Sequence, residues 1–403
     1  MASELVEVEG HIIDSLILAK VLDVILDAGA DYRMVDVDIG KTNVDASRAR
    51  LEVTCDDDEA LANLLEQLSI HGANRVTTAD ARLESCTIDG VLPAGFYSTT
   101  NLPTQVRLDG RWVDIENPEM DCAIVVRSDG RVRTEPMHRV HLGDQIVVGL
   151  DGVRVATPQR PRGANPFEFM SSEVSSEKPK ELVVAQVADR MRATRADGRK
   201  ILAVCGPAVI HTGAGPAIAA LVAGGWIDLL FAGNGFATHD IESNVLGTSL
   251  GVLLREGRPT EHGHANHLRV INEVRRHGSI ARAVEAGFVT GGVMYECVTH
   301  GVPFVLGGSV RDDGPLPDVH ANVIDAADAM RAALPGVGVA LMLASTLHAI
   351  ATGNLLPAGV ETFCVDINQA VVTKLADRGS HQALGIVTDV GLFARELCDH
   401  LVS

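Results

Sequence analysis

The sequence predicts an α/β protein built in three parts, and three observations predict it. Residues 5–85 alternate strand-like and helix-like pieces in the order βαββαβ. Residues 88–156 change to short alternating strands parted by Asp-Gly and Gly turns. From about residue 200 onward, every short apolar run ends in glycine with small polar or acidic residues. The first pattern is ferredoxin-like α+β and is expected over 1–87; the second is a small all-β domain plus linker over 88–185; the third is a Rossmann-like parallel α/β domain over 186–403.

In the first part the pieces are LVEVEGH, DSLILAKVLDVILDAG, DYRMVDVDIG, SRARLEVTC, DEALANLLEQLSIHG and NRVTTADARLES, with helical periodicity in the second and fifth. In the second they are QVRLDG, RWVDIE, CAIVVRSDG, RVRTEPMH and DQIVVGLDGVRVA. Tyr97, Ser98, Thr99, Thr100 and Asn101 form a polar stretch there, either cover for a pocket or a solvated loop. Residues 157–185 are rich in Pro, Ser and charge and read as a connecting segment, within which Phe167, Glu168, Phe169 and Met170 are expected to dock. In the third part apolar runs alternate with helical stretches such as PAIAALVAGG, ANVIDAADAMRAAL and INQAVVTKLADRG, which gives right-handed βαβ crossovers.

Composition narrows the function classes. A chain of 403 residues with 46% hydrophobic and 22% charged residues can bury two or three cores. No apolar run reaches membrane-spanning length, and MASELVEVEGHIID lacks the basic flank and apolar core of a secretory signal. The net charge of −19 repels phosphate backbones, so nucleic acid is not an expected partner. Seven widely spaced cysteines without a CxxC point to neither disulfides nor a zinc knuckle, and fit a reducing cytoplasm.

The strand endings are where a ligand is expected, because in parallel α/β sheets ligands sit outside the carboxyl ends of the strands. Gly206, Pro207, Gly213, Gly215 and Pro216 follow the first run but do not spell GxGxxG; a tight turn with no ligand is the alternative. Gly233-Asn234-Gly235 is sharper, since two glycines let a ligand touch backbone beside an amide, the alternative being Asn234 as a helix cap. Asp366 closes a late strand where a carboxylate can accept ribose hydroxyls, or else caps the helix near Gln369. Arg311, Asp312 and Asp313 precede the stiff Gly314-Pro315-Leu316-Pro317 loop. Ser345, Thr346, Leu347 and His348 open a helix straight after a strand and offer backbone N–H groups, hydroxyls and an imidazole to a phosphate or nicotinamide.

Histidines gather at His239, His262, His264 and His267, with Asp240 and Glu242 nearby. Their spacing is not that of a metal site, so no metal is expected; acid/base chemistry or carboxylate recognition fits better. Lys374 falls mid-helix, which leaves no strand-end lysine for a Schiff base.

The strings CGPAVIHTGAGPA, AGNGFATHDIE, LGTSLGV, GHANHLRVIN, GGVMYECVTHGVPFVLGGSVRDDGPLPDV, LMLASTLHAIATGNLLP and CVDINQAVVTKLADRGSHQALGIVTDVGLF, with GFYSTTNLPT and MDCAIVV earlier, resemble the LOR/SDH-type ornithine cyclodeaminase family over nearly the whole chain. The resemblance is to its archaeal members and to the cyclodeaminase half of the cyanobacterial arginine dihydrolase/ornithine cyclodeaminases; no arginine hydrolysis is expected of this sequence. It implies conversion of L-ornithine to L-proline with release of ammonia, using tightly bound NAD⁺ as a recycled hydride acceptor. It further implies NAD contacts at Asn234, Gly235, Asp312, Ser345, Thr346, Leu347, His348, Asp366, Asp389 and Val390. Family members commonly have Asn-Ala where this chain has Asn234-Gly235.

Such chemistry needs proton transfer and a grip on the substrate carboxylate. By residue type and place, Asp240, Glu296 and Asp313 are the candidates for proton transfer, His264 and Asn266 for positioning substrate, and Arg269 and Arg311 for the carboxylate. Two other classes stay open: an NAD-dependent amino-acid dehydrogenase with a saccharopine-like substrate, and an NAD-binding regulatory protein. Lysine in place of ornithine is a variant of the first reading, because one methylene is worth only about 1–3 kcal/mol. A homo-oligomer is expected.

Overall fold

The computed structural model describes residues 1–13, 16–42, 45–76, 79–156, 180–249, 252–253, 265–310, 314–377 and 383–402. The chain forms two compact units, Met1–Glu168 with Asn354–Ala358, and Phe169–Gly353 with Gly359–Ser403.

The first unit opens with β1 (Ala2–Gly10), α1 (Ile17–Asp27), β2 (Asp31–Asp38), β3 (Ser47–Cys55), α2 (Asp58–Ser69) and β4 (Asn74–Arg75). The antiparallel order β2-β3-β1-β4 is the ferredoxin-like arrangement. Strict alternation in SRARLEVTC turns Ala49, Leu51 and Val53 inward, where they meet Val6, Val8, Ile25, Leu64 and Leu68. Asp57 starts α2 by accepting the Ala60 N–H at 2.8 Å.

NRVTTADARLES reads as one strand but gives two. Asn74–Arg75 joins the first sheet, while β5 (Arg82–Ser85) pairs with β10 (Gln145–Val148). Asp80 diverts the chain by accepting the Gly110 N–H at 3.0 Å and pairing with Arg107 at 2.6 Å. The remaining strands are β6 (Thr104–Leu108), β7 (Arg111–Asp114), β8 (Ala123–Val126), β9 (Val132–Glu135) and β11 (Val153–Val155), in two antiparallel sheets ordered β5-β10-β8-β9 and β11-β6-β7. Asp109 and Gly110, both at positive φ, make the hairpin turn their dipeptide predicts. The polar stretch after Tyr97 is not a solvated loop. Thr99 and Asn101 are buried, Thr99 Oγ1 donates to the Glu119 carbonyl at 2.5 Å, and the Asn101 side-chain amide has no hydrogen-bond partner among the described residues.

In the second unit α3 (Lys180–Ala196) begins earlier than the linker composition suggests, because Val183, Val184, Val187 and Met191 supply a buried helical face. The expected docking patch, Phe167 to Met170, lies outside the described residues. Then come β12 (Lys200–Cys205), α4 (Ala208–His211), α5 (Gly215–Ala223), β13 (Leu229–Gly233), α6 (Asn234–Leu246), β14 (Thr248–Ser249), β15 (Val252–Leu253), α7 (Asn266–His277), α8 (Ile280–Glu285) and α9 (Val293–Thr299). The chain continues through β16 (Phe304–Gly307), β17 (Val319–His320), α10 (Val323–Ala333), β18 (Val337–Leu343), α11 (Leu347–Leu355), β19 (Glu361–Asp366), α12 (Gln369–Asp377), β20 (Ala383–Val387) and α13 (Val390–Val402).

Seven of these strands form one wholly parallel sheet, β17-β16-β13-β12-β18-β19-β20. Its order without the edge strand β17 is that of the doubly wound Rossmann fold, reversing direction between β12 and β18. β18 is buried at every residue, as a central parallel strand covered on both faces must be. No helix among the described residues is long and apolar enough to cross a membrane.

Candidate functional site at the carboxyl edge of the parallel sheet

The strand ends lie in register. Cys205 pairs with Ala232 and Leu343, Gly233 with Gly307, Leu343 with Val365, and Asp366 with Val387. The loops that follow therefore line one edge, with the reversal of strand order at its centre. There the Gly206 N–H donates to the Leu343 carbonyl at 2.9 Å, and a Cβ on Gly206 would lie 1.8 Å from the Ala344 oxygen. Ala344 itself takes a left-handed φ of 46° and donates its N–H to Val365 at 2.9 Å. This backbone contact places Ser345, buried, and Thr346 and Leu347, exposed, at the start of α11.

His348 reaches from α11 across β12. A Cβ on Gly233 would stand 3.0 Å from its Cε1, and one on Gly307 3.1 Å from its Nε2. Both strands need glycine at their last position because an imidazole lies over them.

Asn234 does not cap α6; Gly233 holds that position. The Asn234 Oδ1 instead accepts the Leu316 N–H at 3.0 Å, which ties the Gly314–Pro317 loop to the strand end. Gly235 is half-buried and its open face meets only Pro207. Asp366 is not the cap of α12 either. Asn368 accepts the Ala370 N–H at 3.0 Å, while Asp366 uses Oδ1 to accept the Asn368 N–H at 2.8 Å. Asp389 accepts the Leu392 N–H at 2.8 Å and so caps α13, at whose first position Val390 is buried. Leu347 and Ile367, beside neighbouring strand ends, are 79% and 76% exposed, an unusual pair of bare apolar side chains on one edge.

Behind the first turn of α6 lies a network that sequence spacing only partly signals. His239 Nδ1 is 3.0 Å from Glu242 Oε2, and Glu242, wholly buried, accepts the Thr248 hydroxyl at 2.8 Å through Oε1. Asn266 donates to Thr248 Oγ1 at 3.0 Å, and Arg269 donates to Asn266 Oδ1 at 3.3 Å. His211, from α4, has Nδ1 2.8 Å from Ser249 Oγ and its ring centroid 4.9 Å from that of His239; His267 is 6.4 Å from His239. Burial lowers the His211 pKa, helped by His239 and opposed by Glu242. His211, Ser249 and Thr248 were not expected here. Their one sequence signal is polar side chains in a stretch that otherwise reads as a glycine loop or a helix end.

Asp240 and Glu296 stand apart from this network. Asp240 points to α9, its two oxygens accepting the Val293 and Met294 N–H groups at 3.0 and 2.8 Å, and burial raises its pKa to about 6. Glu296 pairs with His300 at 3.1 Å along α9. Asp312, Asp313, Arg311, His262 and His264 lie outside the described residues. Among the described residues no three His, Cys, Asp or Glu side chains converge to hold a metal ion. All seven cysteines are free.

Comparisons with known proteins give the same picture. The family model for the arginine dihydrolase ArgZ-like C-terminal Rossmann fold matches residues 185–397, that for the ArgZ-like C-terminal first region matches 103–184, and that for the LOR/SDH bifunctional enzyme conserved region matches 3–102. Ornithine cyclodeaminase of Methanopyrus kandleri is 50% identical over 99% of this chain and 97% of its own. The solved apo structure of ArgZ, a cyanobacterial arginine dihydrolase, superposes with a TM-score of 0.86 at 38% identity; all of this chain is covered, against 58% of ArgZ. AgrE of Nostoc sp., a bifunctional arginine dihydrolase/ornithine cyclodeaminase, has been solved as a ternary complex with ornithine and NAD⁺; it is 42% identical, with a TM-score of 0.54, over 100% of this chain and 57% of its own. The motifs, the sheet order and the full-length matches agree: this chain belongs to the LOR/SDH-type ornithine cyclodeaminase family.

Proposed function

We propose that this protein is an NAD-dependent ornithine cyclodeaminase that converts L-ornithine to L-proline and ammonia. One observation carries the reading: a chain that AgrE, known with ornithine and NAD⁺, covers from end to end sets its strand-end residues along a single carboxyl edge. The residues present fit the cofactor. Glycines at 206, 233 and 307 let the Ala344 backbone and the His348 imidazole pack close at the edge, and Asp366 has a second carboxylate oxygen beyond its turn bond for ribose hydroxyls. Ser345, Thr346 and the first amides of α11 suit the pyrophosphate, and Leu347 and Ile367 suit the flat faces of the adenine. Asn234, Gly235, His348, Asp389 and Val390 complete the binding set, together with Asp312.

When bound, NAD⁺ supplies a hydride acceptor that becomes the hydride donor at the end of the same turnover, so the reaction is redox-neutral. The protein's own tasks are to hold the substrate carboxylate, with Arg269 and Arg311 as its partners, to orient the two amines with Asn266 and His264, and to move protons between them. Asp313 remains a candidate acid/base. Asp240 and Glu296 contribute by fixing α9. The division into 1–87, 88–185 and 186–403, a homo-oligomeric assembly and a place in the cytoplasm belong to the same proposal; light scattering on the eluting protein checks the assembly.

The direct test incubates purified protein with L-ornithine and catalytic NAD⁺. Equal proline and ammonia without net NADH are expected. NADH rising on another amino acid would replace the proposal with a dehydrogenase, and nucleotide binding without turnover on any amine would replace it with a regulatory protein. Asp366→Ala is expected to weaken NAD⁺ binding about 10- to 100-fold, the value of charge-assisted hydrogen bonds to the ribose, with a melting temperature close to wild type. Calorimetric titration with NAD⁺ checks it.

A further inference from the structure

We propose that His239 is the proton carrier of the cyclisation step and that Glu242 is its positioning residue; this rests on the cyclodeaminase reading. Both imidazoles behind α6 are held through Nδ1, His239 by Glu242 at 3.0 Å and His211 by Ser249 at 2.8 Å. Their Nε2 atoms make no hydrogen bond among the described residues. An imidazole anchored through Nδ1 to a buried carboxylate is fixed in one tautomer, with Nε2 left to take up and return a proton. Glu242 is in turn fixed by Thr248 and, through it, Asn266, so the carboxylate has no freedom to rotate away.

The place is right as well as the chemistry. His239 follows Gly235 by four residues on α6 and so lies one turn below it on the same face. Pro207, which a Cβ on Gly235 would meet at 3.4 Å, begins the turn that carries His211. The imidazole pair therefore stands beside the Gly233-Asn234-Gly235 strand ending, one of the positions proposed for the cofactor.

The step needs two protons moved, one after the other, from the δ-nitrogen to the α-nitrogen. After hydride leaves Cα, ornithine has a neutral Cα=NH imine and a protonated δ-amine. His239 takes a proton from the δ-ammonium; the freed lone pair forms the Nδ–Cα bond as the π pair moves onto the α-nitrogen, to which His239 returns the proton. His239 then carries a second proton from the ring nitrogen to the α-nitrogen, and the ring-nitrogen lone pair forms the Cα=Nδ bond as the Cα–Nα bond breaks with its pair on departing ammonia. One positive charge is kept throughout, from the δ-ammonium to the cyclic iminium, without any further reactant.

His239→Gln and Glu242→Gln are compared with wild type for proline formation, for NADH absorbance under single-turnover conditions with stoichiometric NAD⁺, for NAD⁺ affinity and for melting temperature. The expected result for His239→Gln is a fall in proline rate of about 10²-fold or more, NAD⁺ affinity within about 3-fold, and NADH that builds up on the enzyme because hydride has left but does not return. Glu242→Gln is expected to lower kcat about 10-fold or more with KM for ornithine nearly unchanged, and it keeps the side-chain volume should His239→Gln not fold. Proline formation close to wild type in both variants would overturn the proposal. So would loss of proline together with NAD⁺ affinity and melting temperature, which marks a structural role, or loss of proline without NADH build-up, which places the histidine before the first hydride transfer. If wild-type protein itself makes no proline, it is the cyclodeaminase reading that fails.

Discussion

Gly206→Ala is expected to cost the protein both its nucleotide and a large part of its stability. The new Cβ would sit 1.8 Å from the Ala344 oxygen, 2.7 Å from its carbonyl carbon and 3.1 Å from Ser345 Cα. All three are backbone atoms, so no side chain can swing aside; the loop between β18 and α11 has to move by more than about 1 Å. That loop is already tightly specified, with Ala344 at a φ of 46° and hydrogen-bonded to β19, and it carries Ser345, Thr346, Leu347 and His348. Overpacking of this kind costs about 1–3 kcal/mol or more. A shift of about 1 Å in positioning groups costs on the order of 10²-fold in function. Thermal melting and NAD⁺ titration should therefore both fall. Gly235→Ala is the control: its Cβ would meet only Pro207 Cγ at 3.4 Å, an ordinary contact, so near wild-type affinity is expected. Equal behaviour of the two variants would show that the close approach at Gly206 is not what sets the site.

The same contrast explains what the sequence made legible. Buried parallel strands must be continuous apolar runs, and their ends must break where helices begin, so ILAVC, DLLFA, VALMLA and TFCV marked the carboxyl edge of the sheet by composition alone. The glycines at 233 and 307 were visible, but their partner was not, since His348 reaches them from a helix two strands away. Choices among adjacent polar residues were also hidden. Whether Asp366 or Asn368 caps α12 turns on a local turn geometry, and Asn234 proved to hold a loop 82 residues downstream. The pairing of His211 with His239 depends on α4 lying against α6, a packing fact with no periodic signature. Asp240 looked like a proton carrier because it is an acid among histidines. On a helix, however, it faces away from His239, and Gly292 at a φ of +96° lets the N-terminus of α9 come up to it.

That placement makes Asp240 the second residue of large expected effect. α9 has no side-chain cap of its own, and Asp240 receives its first two amides from another helix. Asp240→Ala leaves both N–H groups buried without partners, at about 1–3 kcal/mol each, and the expected loss is about 2–5 kcal/mol by urea unfolding. Asp240→Asn separates charge from shape. Burial raises the folded pKa to about 6 from 3.8, against the pull of the two amides, so the folded protein binds this proton more tightly than the unfolded chain. The stability linked to it is fully present below pH 3.8 and is lost as pH rises through about 6. The amide variant mimics the neutral acid at every pH. Its stability relative to wild type should therefore improve between pH 4 and pH 7, by on the order of 3 kcal/mol for a shift of this size. Parallel wild-type and Asp240→Asn stability curves across that window would mean that the carboxyl is already ionised in the fold. Asp240 would then be an ordinary charged cap, its two amide bonds outweighing its burial.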